Sequence, residues 1–308
     1  MKIAVTGAAG MLGTDLMARL SGVHEAIGLD LPQRLEPRNA GAQFIAPVDS
    51  KKISFCTCDI LDEIAIRDLT AELKPDWVIH CAAFTNVDGC EKEPDKAFRL
   101  NADGAGNVAR GAWGARAKML YVSTDYVYDG KKNKPYVETD RTGPLNVYGQ
   151  SKLKGESEVL NILPGALIVR TSWLFGKNGP NFVEAILAQI GKKDELSVVS
   201  DQMGSPTYTV DLSDALARLV EADASGIFHA ANEGYCSWFD YAREILRLSG
   251  AAGINVNPIT TEELGRPALR PAYSVLSKGK YERTTGHHMR GWEEALEDYL
   301  MHREVAIK

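Results

Sequence analysis

Tyr148 and Lys152, in the stretch NVYGQSKLKGE (146–156), stand four residues apart and are types that can move a proton together. On one helix the i, i+4 spacing puts both side chains on the same face, within reach of each other. A free tyrosine has a pKa of about 10, and a neighbouring ammonium favours the phenolate and lowers that value. Tyr-x-x-x-Lys alone is common in helices, so its meaning depends on the residues around it. YVSTDYVYDG (121–130) supplies Ser123, Thr124 and Asp125 just before this helix. A hydroxyl at such a strand end can hold a carbonyl oxygen while Tyr148 protonates it, with Thr124 as the positioner and Lys152 as the tuner.

A second chemical feature lies at the beginning of the chain. VTGAAGMLG sets Gly7, Gly10 and Gly13 between an apolar strand pattern (2–7) and a helical one (11–22). Gly7 suits a tight turn, Gly10 lets the backbone approach a pyrophosphate, and Gly13 lets the helix pack closely on the sheet. The helix N-terminus then offers free N–H groups and its positive dipole end to phosphates. The spacing is one residue longer than the common G-x-G-x-x-G. Asp30 ends the second strand pattern about 20 residues on, where an acid bonds ribose hydroxyls and disfavours a 2′-phosphate. Arg34 and Arg38 follow it and can offset that preference. Asp59 and Ile60 end the third strand pattern, at a position for adenine contact; a helix cap is the alternative for Asp59.

The elements that must carry these residues alternate. Strand patterns at 2–7, 25–30, 54–60, 76–83, 118–128 and 166–176 are separated by helical ones at 11–22, 62–75, 95–115 and 148–162. Asp62 is placed to cap its helix and Pro75 to end it. This rhythm predicts an α/β fold, a Rossmann-type doubly wound parallel sheet with helices on both faces. After about residue 176 the rhythm breaks. Helices are expected at 181–194, 211–222, 237–250 and 291–303, with strands near 196–208 and 226–231. The expected division is a dinucleotide-binding domain over 1–165 and a smaller α/β, mostly C-terminal substrate-binding lobe over 166–308. Segments near 166–176 and 209–235 return to the first domain. An insert over 31–52, rich in Pro, Gly and charge, lengthens the region beside the adenosine position.

Bulk properties narrow the class. The 308 residues are 44% hydrophobic and 25% charged, as in ordinary globular enzymes. With 41 acidic against 35 basic residues the net charge is −6, the wrong sign for a broad nucleic-acid footprint. A phosphorylated small molecule remains compatible, since a few cations and helix N-termini suffice. Five cysteines, an odd number at irregular spacing, read as reduced cytosolic thiols. The N-terminus lacks the shape of a signal peptide, and no apolar run reaches about 18 residues. A cytoplasmic protein without a membrane span is expected. His287 and His288, being adjacent, read as an exposed pair and not as metal ligands; no metal-ligating residue is assigned. Arg270, beside a proline-fixed loop, is a candidate pyrophosphate clamp, with a surface salt bridge as the alternative.

The glycine loop with Thr124, Tyr148 and Lys152 resembles the extended short-chain dehydrogenase/reductase family, over essentially the whole chain. Within it TGAAGMLG (6–13), HCAAFTNVDGCE (80–91), STDYVYDG (123–130), RTSWLFG (170–176), DQMGSPTY (201–208) and RPAYSVLS (270–277) are similar to the dTDP-4-dehydrorhamnose reductase group. The resemblance implies NADPH- or NADH-dependent reduction of the 4-keto group of a dTDP-linked deoxyhexulose, with the proton from Tyr148. It implies cofactor contacts by Met11, Leu12, Asp30, Asp59, Ile60, Ala82, Ala83, Tyr148 and Lys152. It implies sugar-nucleotide contacts by Thr124, Asp125 and Trp173, and an ordering role for Asn101. Some members of the group dimerise through a divalent metal, such as Mg2+, held by glutamates; no residue here is matched to them, and a homodimer is compatible with the resemblance. Phe84 departs from the His or Tyr common at that position. Two alternatives stand beside the reductase. One is another nucleotide-sugar reductase or epimerase of the same fold; the other is a non-catalytic subunit resembling the regulatory beta subunit of methionine adenosyltransferase.

Overall fold

The structure, a computed structural model, describes residues 1–35, 53–251 and 253–303. Arg38 and positions 36–52 of the insert lie outside the described residues. Seven parallel strands form the central sheet. Six of them are β1 (Lys2–Thr6), β2 (Glu25–Asp30), β3 (Ile53–Thr57), β4 (Trp77–His80), β5 (Lys118–Thr124) and β6 (Leu167–Thr171). The seventh, Gly226–His229, lies on the edge beside β6, and the order continues β6, β5, β4, β1, β2, β3. β1, β4 and β6 are apolar almost throughout and buried on both faces, which explains why they read as continuous runs and not as alternating ones. Leu16 and Leu20 of the helix Met11–Ser21 pack with Leu212, Leu216 and Leu219 of Thr209–Glu221 on one face. Ile66, Val108, Ala112 and Val159 cover the other. The expected doubly wound sheet is present, and its order reverses between β1 and β4, the place where such sheets open a crevice.

Two helices begin at side-chain caps. Asp62 Oδ1 accepts from Ala65 N at 2.9 Å, starting Glu63–Leu73. Asn146 Oδ1 accepts from Gly149 N at 2.8 Å, starting the Tyr148 helix, Val147–Ile162. The helix expected over 95–115 differs. It runs as Pro94–Phe98, a wide π turn over Arg99–Asp103, and Gly104–Gly114. A π turn carries an extra residue per turn and frees groups that a regular helix would bind internally. Here it frees the Asn101 carbonyl to accept from the Tyr121 hydroxyl at 3.0 Å.

Beyond β6 a second core gathers Phe175, Tyr208, Tyr241, Trp292 and Tyr299. Its strand pair, Glu195–Val199 with Asn255–Ile259, is parallel. The second member was hidden in the sequence because NVNPI carries two asparagines and a proline, tolerated at a sheet edge. All five cysteines are free thiols. His287 and His288 are exposed. Among the described residues no helix is long and apolar enough to cross a membrane.

A buried ion pair ties β5 and β6, neighbours in one half of the sheet, to the Tyr148 helix. Arg170 of β6 donates Nε to Glu156 Oε1 at 2.9 Å and Nη2 to Oε2 at 2.6 Å. Both side chains are 3% exposed, so water screens the pair little. Ser123 of β5 donates to Glu156 Oε1 at 2.5 Å, and Arg170 Nη1 donates to the Tyr128 hydroxyl at 2.7 Å. That hydroxyl also meets His229 Nε2 at 2.8 Å on the edge strand. Burial opposes the Arg170 charge, but the Glu156 carboxylate overcomes this and raises its pKa. Removing one partner strands the other. Glu156→Gln should therefore cost about 3–5 kcal/mol in urea unfolding, while an apolar replacement of both partners costs far less. A single variant as stable as wild type would contradict this reading of the pair.

Candidate active site

The C-terminal ends of β1, β4, β5 and β6 enclose a cavity of about 530 Å³. Gly7 leaves β1 at φ +73° and turns the chain. A Cβ there would also stand 2.7 Å from Ala82 N, so only glycine allows the loops after β1 and β4 to touch. At Gly13 a Cβ would collide with the Gly7 carbonyl, as close helix packing implies. Gly10 begins the helix with no side-chain cap, and the first turn holds no acidic residue. Its N–H groups and dipole face the cavity uncompensated. Gly7, Gly10, Met11, Leu12 and Gly13 form this wall, with Ala82 and Ala83 from the β4 end. Arg34 lines the same cavity.

Three of the expected cofactor residues are not among those that line this cavity. Asp30 is buried, and its carboxylate accepts from Ala9 N at 2.9 Å and Leu31 N at 2.8 Å. It braces the glycine loop from behind and does not line the cavity. Asp59 accepts from Leu61 N at 2.9 Å in the turn ahead of the helix, whose cap is Asp62, and faces a separate charged cleft with Asp62, Arg67 and Arg99. Ile60 is buried, with its carbonyl taken by Asn107 Nδ2 at 3.0 Å.

Thr124, Tyr148 and Lys152 meet at the cavity wall. Gly149 makes this approach feasible, since a Cβ would strike the Tyr126 carbonyl. Burial pushes the Tyr148 phenol above its ordinary value, and the Thr124 hydroxyl works against that shift. Burial pushes the Lys152 ammonium down to about 7, against the pull of Glu156 and Cys81. Lys152 shares the helix face with Tyr148, and its Nζ donates to Val122 O at 2.8 Å and lies 4.0 Å from the Tyr121 ring centroid. Asn101 fastens the floor: Phe84 N donates to its Oδ1 at 2.7 Å, and its Nδ2 donates to Phe84 O at 3.0 Å and Ser151 Oγ at 2.9 Å. Phe84 thus enters through its backbone, which any residue type supplies.

Asp125 is 2% exposed. Its Oδ1 accepts from Thr124 Oγ1 at 3.0 Å, and its Oδ2 is sealed off without a hydrogen-bond partner. Asp125 lines the cavity beside Thr124, and burial outweighs the Ser274 and Thr124 hydroxyls and raises its carboxyl to about 7. Arg270 lines the cavity and donates Nη2 to Asp88 Oδ2 at 3.0 Å, the salt-bridge alternative.

Trp173 leaves β6 at φ +47°, a left-handed conformation that a bulky side chain adopts only under constraint. Its ring stacks on Trp238 with centroids 3.6 Å apart and planes 9° from parallel. Gly204 lies against the other side of the ring, where a Cβ would overlap it. Trp238 also lines the cavity, and sequence reasoning missed it. Its only signal was a tryptophan just after Ser237, which caps the next helix through Asp240 N at 3.0 Å.

A family model described as RmlD substrate binding domain matches residues 1–305. The chain is 41% identical over 305 residues to the spore coat polysaccharide biosynthesis protein SpsK of Bacillus subtilis (strain 168), covering 99% of each. It is 39% identical over 298 residues to a dTDP-4-dehydrorhamnose reductase of Streptomyces griseus, covering 95% of this chain and 90% of the relative. A solved dTDP-4-dehydrorhamnose reductase from Bacillus anthracis, in complex with NADP, aligns with a TM-score of 0.83 at 36% identity, covering 98% and 100% of the two chains. The family match spans nearly the full length, and the chain belongs to the RmlD substrate binding domain family.

Proposed function

We propose that the protein reduces the 4-keto group of dTDP-4-dehydro-6-deoxy-L-mannose, giving dTDP-L-rhamnose, with NADPH or NADH. The observation that carries this reading is that the glycine loop, Thr124, Tyr148 and Lys152 open into one cavity. The loop fits a dinucleotide. A Cβ at Gly10 would meet only Gly7 O, at 3.1 Å, which leaves that side of the turn clear for a diphosphate at the uncapped helix end. Gly7, Gly10, Met11, Leu12 and Gly13 would hold it, with Ala82 and Ala83 beneath and Lys152 toward the ribose. Asp30 would act through the loop it braces. A reduced nicotinamide dinucleotide bound there supplies the hydride.

The remaining steps fall to side chains. Thr124 holds the sugar carbonyl oxygen. Tyr148, whose phenol burial keeps protonated at neutral pH, gives that oxygen its proton as negative charge develops. A raised phenol is a weak acid in water, but the alkoxide it serves is a much stronger base. Trp173 and Trp238 form an apolar wall suited to a 6-deoxy sugar, and Arg270 suits the diphosphate once it exchanges Asp88 for phosphate oxygens.

Tyr148→Phe tests the reading. The variant should fold, bind NADPH within about threefold of wild type, and lose about 10²–10⁴ in kcat. Retention of most activity would exclude Tyr148 as the acid. The aromatic wall has its own signature. The stacked indoles should couple in near-ultraviolet circular dichroism, and Trp238→Phe should abolish that couplet and raise KM more than it lowers kcat. A couplet that persists in the variant would have another source, and a wild type without one would mean the stack does not form in solution.

A further inference from the structure

We propose that Asp88 stands in for the ligand's diphosphate: it holds Arg270 until a dTDP group binds, yields it to the phosphates, and reclaims it on release. This rests on the reductase reading above and concerns how that site takes and gives up the nucleotide.

Asp88 lies in the short helix Val87–Lys92. Val87 lines the cavity and Asp88 does not. The Asp88 carboxylate faces RPALR (266–270), the segment that follows the helix Thr261–Leu264. Its Oδ2 accepts from Arg270 Nη2 at 3.0 Å and from Arg266 Nη1 at 3.1 Å. Its Oδ1 accepts from Ala268 N at 3.3 Å. Burial works against the Asp88 charge, but Arg270, the Ala268 amide and Arg266 outweigh it and hold the carboxyl below its ordinary value. The segment has other anchors. Arg270 Nη1 donates to Ala268 O at 2.9 Å, and Asn146 Nδ2 donates to Leu269 O at 2.7 Å.

The two guanidiniums differ in where they stand. Arg270 lines the cavity, and its side chain is 16% exposed. Arg266 does not line it and is 57% exposed. One carboxylate oxygen thus serves a cation that a cavity ligand can reach and another outside the cavity. A diphosphate brings negative charge and several acceptor oxygens, which suit the planar fork of Arg270. Taking one partner from a buried ion pair ordinarily strands the other charge. Here Asp88 keeps Arg266 and the Ala268 N–H when Arg270 turns away, so the exchange strands nothing. It still works against binding, because the ligand displaces a charge-assisted bond and meets the carboxylate's repulsion. Weaker binding of this kind shows mainly as faster dissociation, and a reductase must release its product in every turnover.

The sign of one substitution separates this role from a merely structural one. A staple that is removed loosens the segment and weakens binding; a stand-in that is removed tightens it. The probe is dTDP, titrated by calorimetry into the full-length protein, with thymidine as the control that lacks phosphate. Asp88→Asn keeps an oxygen to accept from Ala268 N and removes the charge. It should bind dTDP about tenfold tighter, mostly through a slower off-rate, and bind thymidine within about twofold of wild type. Arg266→Gln leaves Asp88 no cation once Arg270 turns away, so dTDP should bind about threefold weaker or more. In the Asp88→Asn background the same Arg266→Gln change should have no effect, since no carboxylate remains to be compensated. An effect that persists there makes Arg266 a direct phosphate contact and overturns the proposal. Unchanged or weaker dTDP binding by Asp88→Asn overturns it, as does an equal tightening of thymidine. Should Asp88→Asn fail to fold, an Arg266→Gln variant that binds dTDP as tightly as wild type overturns it equally. A wild type that binds NADPH but no dTDP contradicts the nucleotide-sugar reading itself, and the proposal falls with it.

Discussion

Glu156 and Arg170 are the interaction on which the site's geometry rests. Glu156 lies two turns beyond Tyr148 and one beyond Lys152 on the same helix. By gripping Arg170 of β6 and Ser123 of β5, it fixes that helix across the strand ends that supply Thr124 and Trp173. A bidentate pair fixes rotation as well as distance. Glu156 also favours the Lys152 charge that burial works against. Desolvation makes such a pair a poor source of net stability, and its worth here is register.

Two further constraints follow from the same corner. The π turn aims Asn101 at both Phe84 and Ser151, which joins the β4 loop to the Tyr148 helix from the side opposite Glu156. The left-handed Trp173 holds its ring between Trp238 and Gly204. The Tyr148 face is therefore held by polar contacts and the Trp173 face by stacked rings. For the proposed reaction this division would give fixed donors where charge develops and apolar surface where a methyl replaces a hydroxymethyl.

Much of this was legible in the residues. The strand–glycine–helix opening, the parallel rhythm and the Thr–Tyr–Lys set depend on local patterns and spacing, which a sequence displays directly. What it concealed depends on tertiary contact. The i, i+4 spacing of Tyr148 and Lys152 was right, but the direction of the lysine was set by Val122 and Tyr121, distant in the chain. Asp30 kept its place at the end of β2, yet its oxygens were claimed by the loop it was expected to complement. Asp125 was matched to a sugar contact by its place in the STDYVYDG motif, and the turn that buries it has no strong sequence mark. Trp238 joined the site only because the second lobe folds back over β6.

The central claim is that this cavity carries out a net reduction and releases its oxidised cofactor. The most direct measurement is the stoichiometry of a complete reaction with purified dTDP-4-dehydrorhamnose and excess NADPH or NADH. Cofactor absorbance would be followed while nuclear magnetic resonance quantifies the sugar product. The account predicts one cofactor oxidised for each dTDP-rhamnose formed. Sugar isomerised without net cofactor loss, or no conversion by protein shown to bind the cofactor, would contradict it.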